Sequence, residues 1–199
     1  MAEKLILQRH GQIAANRDGR WHGSTDSALT WRGRRQAKRT ARTHERRGHD
    51  FEAIYVSPLS RCQNTAAPTA RAFGLTAVVL DDLREWCIGD WEDTPSSVLA
   101  RDHNFFAEVR HDPGFEPPGG ESLLAVAGRM VPALNNIHSS HEGEVLVVSH
   151  GACMAVALAH LLDRDVQQWG HYIVGNCALT ELVLEPQPHV NYFNRTEHL

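Results

Sequence analysis

Apolar residues in this chain fall into short runs separated by longer stretches of helical spacing. Leu5-Ile6-Leu7 runs straight into Arg9-His10-Gly11. So short an apolar run, ending abruptly in polar residues, predicts a buried strand that opens into a loop. The polar stretch to Asp26 keeps no period and is predicted to be a long loop, a mild sign of function. Thr30 is the predicted cap of a helix from about Trp31 to near Gly48, with Leu29, Ala37 and Ala41 among its few apolar contacts. Phe51 to Val56 predicts a second strand. Ser57-Pro58 then offers a cap with proline at the first helical position, and Leu59, Cys62, Ala66, Ala70 and Phe73 recur at helical spacing up to Gly74.

Thr76 to Leu80 predicts a third strand. Between Trp86 and Gly120 the pattern breaks, with prolines at 95, 113, 117 and 118 and short helical pieces such as Ser96 to Val109. This reads as an insertion at about 86–120 covering one end of the sheet and the active site. A helix follows from Ser122 to about His141, then an apolar strand from Glu144 to Val148 ending at Ser149-His150-Gly151, then a largely buried helix from Ala152 to Leu162. Cys177 to Leu184 and Val190 to Phe193 predict a late strand and an edge strand. Strand, helix, strand order implies parallel pairing with right-handed crossovers. The expected fold is therefore α/β, a doubly wound, mainly parallel sheet with helices on both faces, in a single domain over 1–199.

Composition narrows the functional classes. With 42% hydrophobic and 22% charged residues the chain is an ordinary globular protein, which excludes disorder. The first apolar run is too short for a signal-peptide core or a membrane span, so no membrane partner is expected. Cys62, Cys87, Cys153 and Cys177 are scattered singly, which argues against a disulfide framework or a CxxC zinc site and for a reducing cytoplasm. Arg32, Arg34, Arg35, Lys38, Arg39, Arg42, Arg46 and Arg47 crowd one stretch of a chain whose net charge is -4. Such runs usually form a solvated face, and without a nucleic-acid motif or interleaved aromatics no nucleic-acid partner is expected. Of the 13 histidines, His138 and His141 would share a helix face, but two ligands fall short of the three or four zinc needs. The expectation is no metal, no cofactor and solvent-exposed histidines.

Two predicted strands end in histidine and glycine, at Arg9-His10-Gly11 and Ser149-His150-Gly151. Ligands of open parallel sheets bind beyond the carboxyl ends of strands, and glycine lets backbone approach a ligand. A third loop, Ser57-Pro58-Leu59-Ser60-Arg61, sets Arg61 in the first turn of a helix, where a planar guanidinium and a helix N-terminus both favour phosphate oxygens. Arg9, directly after a buried strand, calls for a counter-anion.

These blocks, with Asn16, Gly23 to Thr30, Gly33, Gln36-Ala37, Thr65-Ala66, Leu83-Arg84-Glu85, Gly89-Asp90-Trp91-Glu92 and Gly119-Gly120-Glu121-Ser122, resemble the histidine phosphatase superfamily, also called the phosphoglycerate mutase-like family. The resemblance covers nearly the whole chain. It implies that His10 is a nucleophile that becomes phosphorylated, with Arg9, Arg61 and His150 forming the phosphate pocket and Gly151 and Asn16 contributing to it. The chemistry asks for the same types: a neutral imidazole attacks phosphorus, neighbouring arginines disfavour imidazolium and neutralise developing charge, and a protonated His150 would add a donor. The resemblance also implies that Glu85 is the general acid, since the branch with aspartate after the second histidine has Gly151 at that position here; Asp81, Asp82 and Glu92 then read as structural or surface groups.

The chain departs from the family pattern at Gln12-Ile13, where many relatives carry threonine second, and at Asp93, where glycine is common. It lacks the longer insertion and the histidine-tyrosine-glycine block of cofactor-dependent phosphoglycerate mutases, having Trp86-Cys87-Ile88-Gly89 instead, and its ending from Asn194 to Leu199 looks like that of short phosphatase members. The expected activity is therefore metal-independent hydrolysis of a small phosphomonoester. Mutase-type phosphoryl transfer and a non-catalytic phospholigand-binding module remain the alternatives, and a homodimer is left open. Trp21, His22, Trp86, Trp91, Arg101, His103 and Arg110 are candidates for shaping the pocket mouth.

Overall fold

A computed structural model describes residues 1–199. Its centre is a six-stranded sheet in the order β3-β2-β4-β1-β5-β6, with β1 Lys4–Arg9, β2 Phe51–Val56, β3 Ala77–Val79, β4 Glu144–Ser149, β5 Leu179–Val183 and β6 His189–Arg195. The first four are mutually parallel, and β5 and β6 add an antiparallel margin. The sheet is thus mainly parallel, as the strand and helix order predicts.

Period-2 alternation in the central strands sends side chains into two separate layers. Leu5, Leu7, Val145 and Val147 enter one hydrophobic cluster, while Ile6, Leu146 and Val148 enter another on the opposite face. The helices, in chain order, are α1 Ala14–Arg17, α2 Trp31–Arg46, α3 Ser60–Phe73, α4 Ser96–Asp102, α5 Phe105–His111, α6 Leu123–Ser139 and α7 Gly151–Asp163. Residues of α6 and α7 fill the first layer, and α3 the second. Helix α7 is buried almost all round, which explains its nearly unbroken apolar sequence. Thr30 and Ser122 cap α2 and α6 by accepting from Gly33 N and Ala125 N. Leu99, Phe105 and Val109 of the proline-interrupted stretch enter the same cluster as α6 and α7.

Two expectations need correction. Helix α3 begins at Ser60, not at Pro58, and its N-cap Leu59 supplies no side-chain bond. Asp26, from the long loop, accepts from Ser60 N at 3.1 Å, while Ser57 Oγ accepts from Leu59 N at 3.3 Å and lies 2.7 Å from His150 Nε2. The histidines are not uniformly exposed either. His10, His44, His138 and His150 are buried, and His141 lies past the end of α6 with Nδ1 2.7 Å from Glu52.

Candidate active site

The register between β1 and β4 builds the centre of the site. Arg9 pairs with Ser149, so His10 and His150 leave adjacent strands side by side, their ring centroids 5.2 Å apart and inclined at 63°. Val56 of β2 pairs with Val148, which brings Ser57 to the other side of His150. Three neighbouring strand ends thus deliver Ser57, His150 and His10 in a row.

His10 is only 3% exposed, so it is not the solvent-facing loop residue its position suggested. Its Nδ1 lies 2.8 Å from the carbonyl of Gly11. A carbonyl only accepts, so the proton sits on Nδ1 and the Nε2 lone pair is free. Burial, then the charges of Arg9 and Arg61, hold the imidazole pKa well below its ordinary value. The ring is neutral and nucleophilic at physiological pH.

His150 differs. Its Nδ1 accepts from Arg61 Nε at 3.2 Å, which puts the proton on Nε2, facing Ser57 Oγ. Burial, then Arg61, His10 and Arg9, push its pKa well below the usual range. Both ring nitrogens have protein partners and the ring is neutral. In this arrangement the two rings stand edge to face, with His150 held between Arg61 and Ser57.

Arg61 is fully buried and gives Nη1 to Thr25 O at 2.7 Å and Nη2 to the carbonyls of His22 and Gly23 at 3.2 and 2.7 Å. It fixes the long loop over the strand ends and supplies a positive charge behind both histidines. Arg9 gives Nη1 to Val174 O at 2.6 Å, while its buried Nε has no protein partner. An unsatisfied buried guanidinium donor is costly unless an anion meets it. The guanidinium lies against Gly151, where an added Cβ would come 3.1 Å from Cζ and Nε. Gly151 thus makes room for Arg9.

Glu85 is 7% exposed, and its carboxyl group is held by Trp86 N at 2.9 Å, Cys153 N at 2.8 Å and Ala152 N at 3.2 Å. Two of these donors belong to the first turn of α7. Arg129 holds the same segment from behind, donating to the carbonyls of Asp82, Arg84 and Glu85 and to Glu121. Glu92 is structural, accepting from the backbone N–H groups of Gly23, Ser24 and Thr25.

A cavity of about 290 Å³ opens over these groups, lined by Arg9, His10, Asn16, Glu85 and Gly151 among the expected residues. Arg61 and His150 lie beneath it. Asn16 Oδ1 accepts from Ile13 N at 3.2 Å and from Asn176 Nδ2 at 2.9 Å, which leaves its Nδ2 as the donor toward the cavity. Of the suggested mouth residues only Trp21 and His22 line it. Trp86 is wholly buried, Trp91 stacks on His103 at 4.5 Å, Arg101 pairs with Asp102, and Arg110 borders another cavity. Sequence reasoning missed Arg20, Ser96, Ile173 and Asn176, which also line the cavity; no local pattern marks them. At the departures from the family pattern, Ile13 packs with Ala15 and Leu29, and Asp93 adopts φ 56° while accepting from Arg20 and lying 3.0 Å from His22 Nε2. A left-handed φ of this kind is one that glycine adopts without strain.

The chain is similar over its length to known proteins. The bifunctional protein Rv2228c of Mycobacterium tuberculosis is 34% identical over 200 residues, a match that takes in 98% of this chain but 55% of that protein, so the chain spans about half of this relative. The glucosyl-3-phosphoglycerate phosphatase of Mycobacterium tuberculosis is 31% identical, with 91% of this chain and 85% of that protein covered. The crystal structure of a phosphoserine phosphatase from Entamoeba histolytica in complex with 3-phosphoglyceric acid superposes with a TM-score of 0.88 at 27% identity, covering 100% of both chains. A family profile for the histidine phosphatase superfamily, branch 1, matches residues 5–195. Sequence, architecture and the histidines at adjoining strand ends converge on one family, and the chain belongs to the histidine phosphatase superfamily.

Proposed function

We propose that the chain hydrolyses a small phosphomonoester through a phosphohistidine on His10. The observation that carries this reading is the His10 tautomer: Nδ1 is tied to Gly11 O, so a neutral Nε2 is presented to the cavity. In the first half-reaction the Nε2 lone pair attacks phosphorus and the bond to the leaving oxygen breaks as Glu85 protonates it. The Arg9 guanidinium and Asn16 Nδ2 meet the equatorial oxygens, and the buried charge of Arg61 adds to the field that stabilises them. In the second half-reaction Glu85 takes a proton from water, which attacks phosphorus; the N–P bond breaks, and inorganic phosphate leaves with His10 restored.

The relatives act, by name, on phosphoserine and glucosyl-3-phosphoglycerate, which supports a small phosphorylated metabolite as substrate. The four free cysteines support residence in a reducing compartment, the cytoplasm. The test is a rapid quench into base with substrate carrying labelled phosphate. The label should appear on the wild-type protein in acid-labile, base-stable form. It should be absent from His10→Ala, which should also lose turnover while keeping the wild-type circular dichroism spectrum. Label on another residue, or turnover by a folded His10→Ala protein, would remove the proposal. Release of the label as inorganic phosphate, with none passed to an acceptor alcohol, separates hydrolysis from mutase-type transfer.

A further inference from the structure

A cavity larger than the one over the histidines lies elsewhere. It measures about 630 Å³ and is lined by Gln12, Trp31, Arg32, Arg35, Arg39 and Thr196, among others. A second, of about 470 Å³, continues past Arg39 to Arg42 and Arg46, with Glu197, His198 and Leu199 forming its other wall. Both follow the outer face of α2. Arg32, Arg35, Arg39, Arg42 and Arg46 recur there at intervals of three and four and are all exposed. At 100° per residue they fall within an arc of about 80°, in a row of about 21 Å.

None of the basic side chains of α2 lies within 4.0 Å of a carboxylate, although the chain as a whole carries net charge -4. The helix bears a single acid, Glu45. A solvated face usually intersperses both signs; this one does not. At the head of the row Trp31 is 69% exposed, with the Arg35 guanidinium 4.6 Å from its ring centroid, which leaves the other ring face open.

We propose that this face binds single-stranded nucleic acid, the arginine row following the phosphates and Trp31 stacking on a base. Six of the seven basic residues of α2 are arginine, whose planar fork suits phosphate. A positive groove with an aromatic platform is the arrangement that holds single strands without reading sequence. At the ~3.4 Å rise per charge of a stacked strand the row matches about six phosphates. The face has no apolar stripe to enter a lipid surface, which distinguishes it from a membrane-binding helix. Trp31 alone does not interleave with the charges, which is why the sequence argued against nucleic acid. What changes the reading is the single row, its lack of carboxylate partners and the two cavities along it.

The test is fluorescence anisotropy with a labelled oligo-dT or oligo-U of roughly 12 nucleotides. Single-strand binding loses about 0.7 in log K per log salt for each phosphate neutralised, so five contacts predict a slope of about -3.5. The Arg35→Ala/Arg39→Ala protein should give about -2, with unchanged melting temperature. Trp31→Ala should weaken oligonucleotide binding at least about fivefold and leave binding of inorganic polyphosphate unchanged. No binding at low salt, a wild-type slope near zero, or an unaltered slope in the double variant would overturn the proposal. So would polyphosphate or anionic vesicles binding where oligonucleotides do not. The wild-type slope is read without any variant, so it decides even if a variant misfolds.

Discussion

Replacing Gly151 by alanine isolates the contribution of the Arg9 guanidinium. The new Cβ would lie 3.1 Å from Cζ and Nε and 3.4 Å from Nη1. Relaxed carbon contacts lie at about 3.5–4.0 Å, so the guanidinium must retreat by roughly half an ångström. Its retreat is constrained, since Nη1 is bonded to Val174 O at 2.6 Å and Nε is buried. The atom displaced is Nε, the donor that protein leaves free. A misplacement of about 1 Å costs roughly 10²-fold, so half of that predicts about a tenfold loss in kcat/KM, or about 1.4 kcal/mol. Alanine is the better helix former at the start of α7, and the clash falls on a side chain, so the melting temperature should move by no more than a few degrees. The assay is steady-state hydrolysis of nitrophenyl phosphate together with thermal melting. In an Arg9→Ala background the Gly151→Ala change should add nothing, because its target is gone. Wild-type kcat/KM in the single variant, or an equal loss in both backgrounds, would refute the placement of Arg9 at the reacting phosphate.

Glu85→Gln should slow phosphorylation of His10 by alkyl phosphates far more than by nitrophenyl phosphate, which departs without a proton; equal slowing in rapid-quench measurements would leave Glu85 a positioning group only. Stability should fall on acidification below pH 6.5. His10, His44 and His150 are held below that ordinary value by burial, His44 at about 3. The unfolded chain therefore takes up protons there that the folded chain refuses. Each contributes stability that is full above 6.5 and declines by up to about 1.4 kcal/mol per pH unit below it, which urea midpoints at pH 7.5, 6 and 5 would show; a flat profile contradicts the burial of these rings. Chelators should leave activity intact, because Arg9 and Arg61 supply the positive charge that metal ions supply elsewhere; loss in chelator and recovery with a divalent ion would be the contrary result.

Local pattern was sufficient wherever the physics is local. Leu5-Ile6-Leu7 and the apolar strand from Glu144 specify buried strands, Thr30 and Ser122 announce helix starts through one hydroxyl each, and Gly74 ends α3 in the left-handed conformation at φ 66°. The ordered blocks likewise named Arg9, His10, Asn16, Glu85 and Gly151, all of which the fold gathers at one cavity. What the sequence left undetermined were the partners. Arg9-His10-Gly11 and Ser149-His150-Gly151 read alike, yet a Cβ on Gly11 would meet the backbone of Gly33 at 2.6 Å, whereas one on Gly151 would meet the Arg9 side chain. The two histidines diverge for the same reason: one ring nitrogen is taken by an adjacent carbonyl, the other ring by Arg61 and Ser57. Ser57 looked like the cap of α3, and Arg61 like a free phosphate clamp, until a loop of distant sequence brought Asp26 to Ser60 and three carbonyls to Arg61. Periodicity records which face of an element is buried. The atom a polar side chain meets depends on strand register and loop closure across the whole chain, and only the tertiary structure sets those.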